Sequence, residues 1–117
     1  MIQPRSFHSA DHFVDAEQEP FRSVVCETMH TVIVAWQVKP GQRIASHVHP
    51  AGQDTWTVLS GTGLYALDGQ GATVAIGPGD ILVARPGEVH GVLALGDEPL
   101  RFVSCVSPSE AGYQLLG

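Results

Sequence analysis

Two histidines and an aspartate lie close together in the stretch SHVHPAGQDTWTVLSG, which runs from residue 46 to residue 61. One residue separates His47 from His49, so on a β-strand both imidazoles point to the same face. The turn signal Pro50-Ala51-Gly52 follows, and a hairpin there folds Asp54 back towards the histidines. Neutral imidazole suits Zn, Cu, Fe and Ni, and a carboxylate adds Mn to these metals. The stretch therefore predicts part of a site for one divalent transition metal.

The elements that must position these side chains are predicted to be short β-strands. Thirteen glycines and eight prolines are spread along the chain as turn signals, and strand-like segments recur at intervals of about ten residues. The predicted strands are Val24–Val38 (one long strand or two short ones), Arg43–His49, Thr55–Leu59, Gly63–Leu67, Ala72–Ile76, Ile81–Ala84, Val89–Leu95 and Leu100–Val106. A helix is predicted only near Ser9–Gln18, where Ser9 can cap its start. The pattern indicates an all-β, antiparallel sandwich or barrel.

The chain is predicted to be one domain of 117 residues, with an N-terminal arm (1–22), a barrel (23–108) and a C-terminal tail (109–117). Hydrophobic residues make up 44% of the sequence and charged residues 15%, which favours a packed core over disorder. Cys26 and Cys105 lie far apart in the sequence and are predicted to be packed thiols, with a disulfide as the alternative. The sequence does not show whether the two cysteines are near each other.

The charge and hydropathy patterns argue against two classes of partner. The net charge is −6 and Lys39 is the one lysine, so no basic stripe is present to neutralise nucleic-acid phosphates. No run approaches the ~18 apolar residues of a membrane span. The first residues also lack the apolar region of a signal peptide. A cytoplasmic protein that binds neither nucleic acid nor membrane is predicted.

The histidine pair belongs to a longer pattern that resembles the two motifs of the cupin superfamily. Gly41, His47, His49, Asp54 and Gly61 follow the spacing of the first motif, G(x)5HxH(x)3–4E(x)6G. The segment GDILVARPGEVH, which begins at residue 79 and ends at residue 90, is similar to the second motif, G(x)5PxG(x)2H(x)3N. The resemblance covers roughly residues 24 to 107 and implies an antiparallel cupin β-barrel, or jelly roll, with one metal inside.

The resemblance also implies a set of metal ligands. His47, His49 and His90 match the three histidine ligands of the family, and Asp54 stands where the family has a glutamate. Because aspartate is one methylene shorter, Asp54 can ligate directly, bind through a water, or hydrogen-bond a ligand histidine. Gln53 is the alternative, since the family also tolerates a ligand one position earlier. On a regular strand Gln53 faces away from Asp54, which favours the aspartate.

Side chains that share strand parity with these ligands are predicted to line a small-molecule pocket; they are Arg43, Ala45, Trp56 and Val92. Trp56 is equally well explained as part of the barrel core. Arg43 either reaches the barrel mouth, where it would clamp a carboxylate, or is an exposed arginine without a partner. Arg85 and Ala94 replace the proline and asparagine of the second motif, and neither position is a ligand.

Two classes of function follow from this site. Three histidines with at most one carboxylate leave coordination positions open for a small molecule. The resemblance implies a metal-dependent dioxygenase, isomerase or lyase that acts on a small organic molecule, with Asp54 as a possible base if it is not a ligand. The alternative is a non-catalytic cupin module that binds a metal or a small molecule, because a fold does not by itself give a function.

A homodimer is also predicted, because small barrels have strand edges that must be covered. The segment before residue 37 carries a long apolar run, and the last strand, LRFVSCVS, has Arg101 as its one charge. The cupin resemblance points the same way, since relatives commonly pack through their N-terminal strands. The alternative is a monomer in which the acidic first twenty residues fold over the edge.

Overall fold

Two five-stranded antiparallel sheets form the computed structural model, which describes residues 2–116. The strands are β1 Ser23–Glu27, β2 Val32–Val38, β3 Arg43–Val48, β4 Gln53–Ser60, β5 Thr62–Ala66, β6 Thr73–Ile76, β7 Ile81–Ala84, β8 His90–Leu95, β9 Leu100–Ser107 and β10 Gln114–Leu115. One sheet has the order β1-β2-β9-β4-β7, and the other has the order β10-β3-β8-β5-β6. The all-β antiparallel prediction is confirmed.

The region before the first sheet differs from the predicted helix. Within Ser9–Gln18 the structure has a single 3-10 turn, Ser9–Asp11, and the remainder is not helical. The arm instead follows the barrel surface, where the Ala16 carbonyl accepts a hydrogen bond from Gln42 at 2.9 Å. Asp15 pairs with Lys39 at 2.8 Å. These tertiary contacts replace the hydrogen bonds that a helix would have supplied.

The space between the sheets is filled at one end by a cluster of buried apolar side chains. The fully buried members are Val38, Trp56, Val58, Tyr65, Ile76, Val92, Ala94, Leu100 and Phe102. The Trp56 ring stacks on Phe102 with 4.0 Å between ring centroids and meets Tyr65 edge-on at 5.1 Å. Strand alternation supplies these inward-facing side chains from both sheets. Packing at this end leaves the opposite end of the interior open for a site.

A β-bulge in β3 decides which side chains face the interior. Ile44 pairs with Val92 and His47 pairs with His90, so three steps along β3 match two steps along β8. The extra residue turns Ile44 and His47 to the same face and moves Ala45 to the exposed face. The prediction that Ala45 shares the face of His47 is therefore wrong, because it assumed a regular strand.

Gly91 makes the bulge possible. A Cβ atom at Gly91 would lie 2.8 Å from the Ile44 carbonyl oxygen and 3.0 Å from the Ser46 Cα. We expect Gly91→Ala to lower the free energy of unfolding by about 1–3 kcal/mol, because the backbone of β3 must move away. Urea unfolding measures the change. Gly77→Ala is the matched control, since its Cβ would have its nearest neighbour at 3.9 Å, and equal midpoints for the two variants would contradict the prediction.

Strand order also corrects the prediction about exposed edges. The last long strand, β9, lies between β2 and β4 and is central in its sheet, so it is not an unprotected edge. β1 and β7 are the edges of that sheet. The predicted Val24–Val38 segment divides into β1 and β2, which pair as a hairpin. Pairing between distant segments decides these positions, and local sequence does not report it.

Both cysteines are free and half-buried. Cys26 pairs with Ile33, and Ile33 pairs in turn with Cys105, so a whole strand separates the two thiols.

Within residues 2–116, no helix is long and apolar enough to cross a lipid bilayer.

Candidate metal centre

Four side chains meet inside the open end of the sheet pair. His47, His49, Asp54 and His90 each offer one ligand atom, and these atoms all lie within 4.8 Å of one another. His47 lies in β3, His49 follows directly after that strand, and His90 is the first residue of β8 in the same sheet. Asp54 lies in β4 of the other sheet. His47, Asp54 and His90 are buried. The fold thus brings the predicted ligands together from three separate strands.

Backbone carbonyls orient all three imidazoles. Each Nδ1 is bonded to a carbonyl oxygen: His47 to Ala45 at 2.7 Å, His49 to Gly112 at 2.8 Å, and His90 to Glu88 at 3.2 Å. A carbonyl only accepts hydrogen bonds, so each Nδ1 carries the donating proton. This fixes the ring orientation and leaves the three Nε2 atoms available to coordinate a metal ion, as is usual for metal-ligating histidines.

The Asp54 carboxylate faces two of those Nε2 atoms. Its Oδ2 lies 2.9 Å from His90 Nε2 and 3.3 Å from His49 Nε2. Both rings therefore have an acceptor at each nitrogen, which a neutral imidazole cannot satisfy because it has one N–H. Either a second proton on the ring or a metal ion held by these residues would resolve the conflict.

The electrostatic environment sets the protonation states of the cluster. Burial lowers the pKa of His47 to about 4, so its Nε2 lone pair is free at neutral pH. Burial alone would raise the pKa of Asp54, but hydrogen bonds from His49 and His90 outweigh it and bring the pKa to about 2. The same hydrogen bond to Asp54 raises the pKa of His49. The cluster therefore holds an ionised carboxylate beside at least one neutral imidazole.

These residues fit a divalent cation. Besides the shared Oδ2, the second carboxylate oxygen, Asp54 Oδ1, is buried and lacks a hydrogen-bond partner among the described residues. An ionised and partly unpaired buried carboxylate is costly unless a positive charge compensates it. Three imidazole nitrogens and one carboxylate suit Zn, Fe, Mn, Ni or Cu. The group can hold one metal ion.

Metal binding is expected to release protons and to weaken as the pH falls. The raised pKa of His49 means that this ring must lose a proton that its contact with Asp54 favours. Metal affinity is therefore highest at pH values above the pKa of His49. Below that pKa it decreases by up to about tenfold per pH unit for each proton displaced. Titration calorimetry with Zn²⁺ in buffers of different ionisation enthalpy measures the release. A binding constant that stays the same from pH 8 to about 5.5 would contradict this coupling.

The structure separates the two candidates for the fourth ligand. Gln53 is exposed, and its Nε2 donates to Thr55 Oγ1 at 3.2 Å on the outer face of β4. Asp54 is 4% exposed and belongs to the cluster. Strand alternation in β4 is regular here, so the preference for Asp54 over Gln53 agrees with the geometry.

A cavity of about 550 Å³ opens beside the cluster. It contains His47, His49 and Asp54, and its apolar walls are Val32, Val34, Trp36, Ile44, Trp56, Val106 and Ala111. Such a volume and lining are typical of small-molecule sites. Residues of β2 and β9 thus provide most of the apolar wall, whereas the sequence predicted a wall that included residues of β3 and β8.

The predicted pocket residues are divided between two places. Trp56 lines the cavity and is also part of the core. Arg43 and Ala45 are exposed and border a separate cavity, because the β3 bulge turns them away from His47. Val92 is buried in the core and borders that same second cavity.

The C-terminal segment, predicted to be a tail, forms one side of the site. β10 pairs with β3, with Leu115 opposite His47. The Tyr113 ring lies 4.8 Å from the His47 ring and lines the cavity. The carbonyl of Gly112 holds His49 in place. No sequence motif marked this segment, since its role depends on pairing with a strand more than sixty residues earlier.

Two facing antiparallel sheets enclose three histidines and one carboxylate, which together could hold a metal ion. Residues 34–106 match the Cupin domain family, and the chain belongs to that family. The predicted membership is confirmed.

Two solved structures and one curated relative are similar to the chain. A conserved protein with a double-stranded beta-helix domain from Klebsiella pneumoniae is 47% identical, with a TM-score of 0.94, over 98% of this chain and 99% of that one. An RmlC-like cupin protein from Desulfovibrio desulfuricans is 27% identical, with a TM-score of 0.80, over 92% and 99%. An (R)-mandelonitrile lyase from Granulicella tundricola is 46% identical over 52 residues, which are 44% of this chain and 38% of the lyase.

Proposed function

We propose that the chain is a metal-dependent enzyme that acts on a small organic molecule, with lyase- or isomerase-type chemistry. The observation that carries the proposal is the convergence of His47, His49, Asp54 and His90 beside an apolar cavity of about 550 Å³, which all of them except His90 line. The partial similarity to a mandelonitrile lyase supports this reaction type. A bound divalent metal would act there as a Lewis acid that polarises a substrate oxygen.

The residues of the chain have separate tasks in this proposal. The three imidazoles and Asp54 would hold the metal, while the carbonyls of Ala45, Glu88 and Gly112 keep the imidazole rings oriented. The apolar walls exclude water from a bound substrate, which strengthens electrostatic interactions inside the cavity. Asp54 is a poor general base, because its pKa of about 2 is far below neutral pH. Its task is therefore to hold charge rather than to move a proton.

The experiment that tests this function has two stages. Elemental analysis first determines which metal the purified protein contains and in what ratio. The metal-loaded protein is then given α-hydroxynitriles and other substrates for carbon–carbon cleavage, in parallel with oxygen-uptake assays on diketones, phenols and sugar acids. Metal-dependent cleavage without oxygen uptake supports the proposal. Oxygen uptake would indicate an oxygenase. No turnover with Zn, Fe, Mn, Ni or Cu would favour a non-catalytic binding module.

We also propose that the chain forms a homodimer through the edge of β1. Val24 in β1 and Phe21 just before it are 39% and 53% exposed, and no strand within residues 2–116 pairs with the outer side of β1. The contacts of the acidic arm go to Lys39, Gln42 and Arg101, and none of these residues belongs to β1. An uncovered apolar edge strand favours pairing with a second copy.

Light scattering at several dilutions measures the mass, which is expected to be about twice 12.4 kDa. A mass of one chain throughout the dilution series would contradict the homodimer.

A further inference from the structure

Arg22 carries the one permanent positive charge among the residues that line the cavity. It directly precedes β1, where buried Ser23 pairs with Ala35 and so fixes the start of the strand. The Arg22 side chain is exposed, which places it at the rim rather than the base of the cavity. In the described part of the chain, no carboxylate lies within 4.0 Å of its guanidinium, in contrast to Arg85, which pairs with Glu88.

The charges in the cavity are separated in a way that favours one class of ligand. Asp54 is the acidic residue in the lining, and its charge is engaged with His49 and His90 at the base. Arg22 lines the same cavity as His47, His49 and Asp54, so a ligand in that cavity can contact both the guanidinium and the candidate metal ligands. Most of the remaining lining is apolar and includes Val34 on β2 and Val106 on β9.

We propose that Arg22 binds the carboxylate of a small amphiphilic ligand whose apolar body lies against β2 and β9. The guanidinium can bind a carboxylate through two parallel hydrogen bonds, which also fixes the orientation of the ligand. The inference rests on the proposed function, since it names the substrate class of the same site. Arg22 is a specificity residue in this proposal, and the reaction itself is assigned to the site formed by His47, His49, Asp54 and His90.

Arg43, for which the sequence left a carboxylate clamp and an exposed arginine as alternatives, cannot take the clamp role. It lies on the exposed face of β3 and borders a different cavity. The two arginines therefore form a matched pair for an experiment, because each is exposed and each carries the same charge.

Ligand binding can be measured without turnover, because both tryptophans of the chain, Trp36 and Trp56, line the cavity. The probes are benzoate and benzamide, which have the same shape but differ in charge. Fluorescence titrations are carried out on metal-free and Zn²⁺-loaded protein. We expect wild-type protein to prefer benzoate in both states, and we expect Arg22→Gln to weaken benzoate binding about tenfold while leaving benzamide binding unchanged. Arg22→Lys should restore part of the loss, and Arg43→Gln should change neither affinity.

Several results would overturn the inference. Absent benzoate binding, equal affinities for the two probes, or an Arg22→Gln variant that keeps the benzoate preference would each do so. A preference that requires Zn²⁺ and survives Arg22→Gln would assign carboxylate recognition to the metal instead. Elemental analysis of the same samples keeps this question separate from the proposed function. A protein that binds one metal but does not discriminate the probes contradicts the role of Arg22 alone.

Discussion

Replacing His47 and His49 together by alanine is expected to abolish metal binding. The two rings supply two of the four ligand atoms that lie within 4.8 Å of one another. The remaining His90 and Asp54 are 2.9 Å apart and would keep their mutual hydrogen bond. A histidine and a carboxylate alone do not compete with water for a divalent ion, so the metal content per chain should fall from about one to near zero. Inductively coupled plasma mass spectrometry after gel filtration measures the ratio.

The control for this variant removes two histidines that lie outside the cluster. His8 and His30 are exposed, and neither belongs to the group of ligand atoms. The His8→Ala/His30→Ala protein should retain the wild-type metal content. Circular dichroism of both metal-free variants shows whether the sheets are intact. A folded His47→Ala/His49→Ala protein that still binds one tightly held metal would show that the cluster is not the metal centre.

Asp54→Asn is expected to lower metal affinity by more than about 100-fold, which is beyond the range usual for a group that only supports a ligand histidine. The substitution preserves the volume of a side chain that is 4% exposed but removes the charge that compensates the metal. The amide can also donate to His49 or His90, which would change the orientation of those rings. Competition with a chromophoric chelator measures the affinity. A loss of only about 10- to 100-fold would assign Asp54 to the outer shell.

The longer carboxylate separates reach from charge at the same position. The Asp54 oxygen already lies 2.9 Å from His90 Nε2, so the site does not need the extra methylene of glutamate. Trp56, two residues further along β4, is buried, and its packing leaves little room to displace the chain. We therefore expect Asp54→Glu to weaken binding, and tighter binding would indicate that the aspartate is too short. Gln53→Ala serves as the control, since Gln53 is exposed and should be neutral.

The sequence alone determined the parts of this site that depend on local periodicity. A period of two along a strand placed Asp54 inside and Gln53 outside, and β4 follows that alternation without interruption at this point. The spacing around His47, His49 and His90 was sufficient for the family resemblance, and all three join one cluster. Glycine and proline signals also identified most strands, because turns at these residues have local causes.

The tertiary structure alone decided the parts that depend on pairing between distant strands. The register of β3 against β8 contains one extra residue, which reversed the orientation of Arg43 and Ala45 relative to His47. A strand sequence with a bulge has no distinct local pattern, since the shift is defined by the partner strand. Arg22 reached the cavity for a similar reason, because the start of β1 is held by its pairing with β2.

The position of the C-terminal segment also depends on pairing with a distant strand and could not be predicted from local sequence. Residues 112 and 113 carry no motif, yet the Gly112 carbonyl orients His49 and the Tyr113 ring lies against His47. Short-range propensity is weak for a strand of two residues such as Gln114–Leu115. Its position is set by hydrogen bonds to β3, which form only once the rest of the sheet is in place. The local sequence thus predicts the candidate metal ligands, whereas the fold decides which side chains line the cavity beside them.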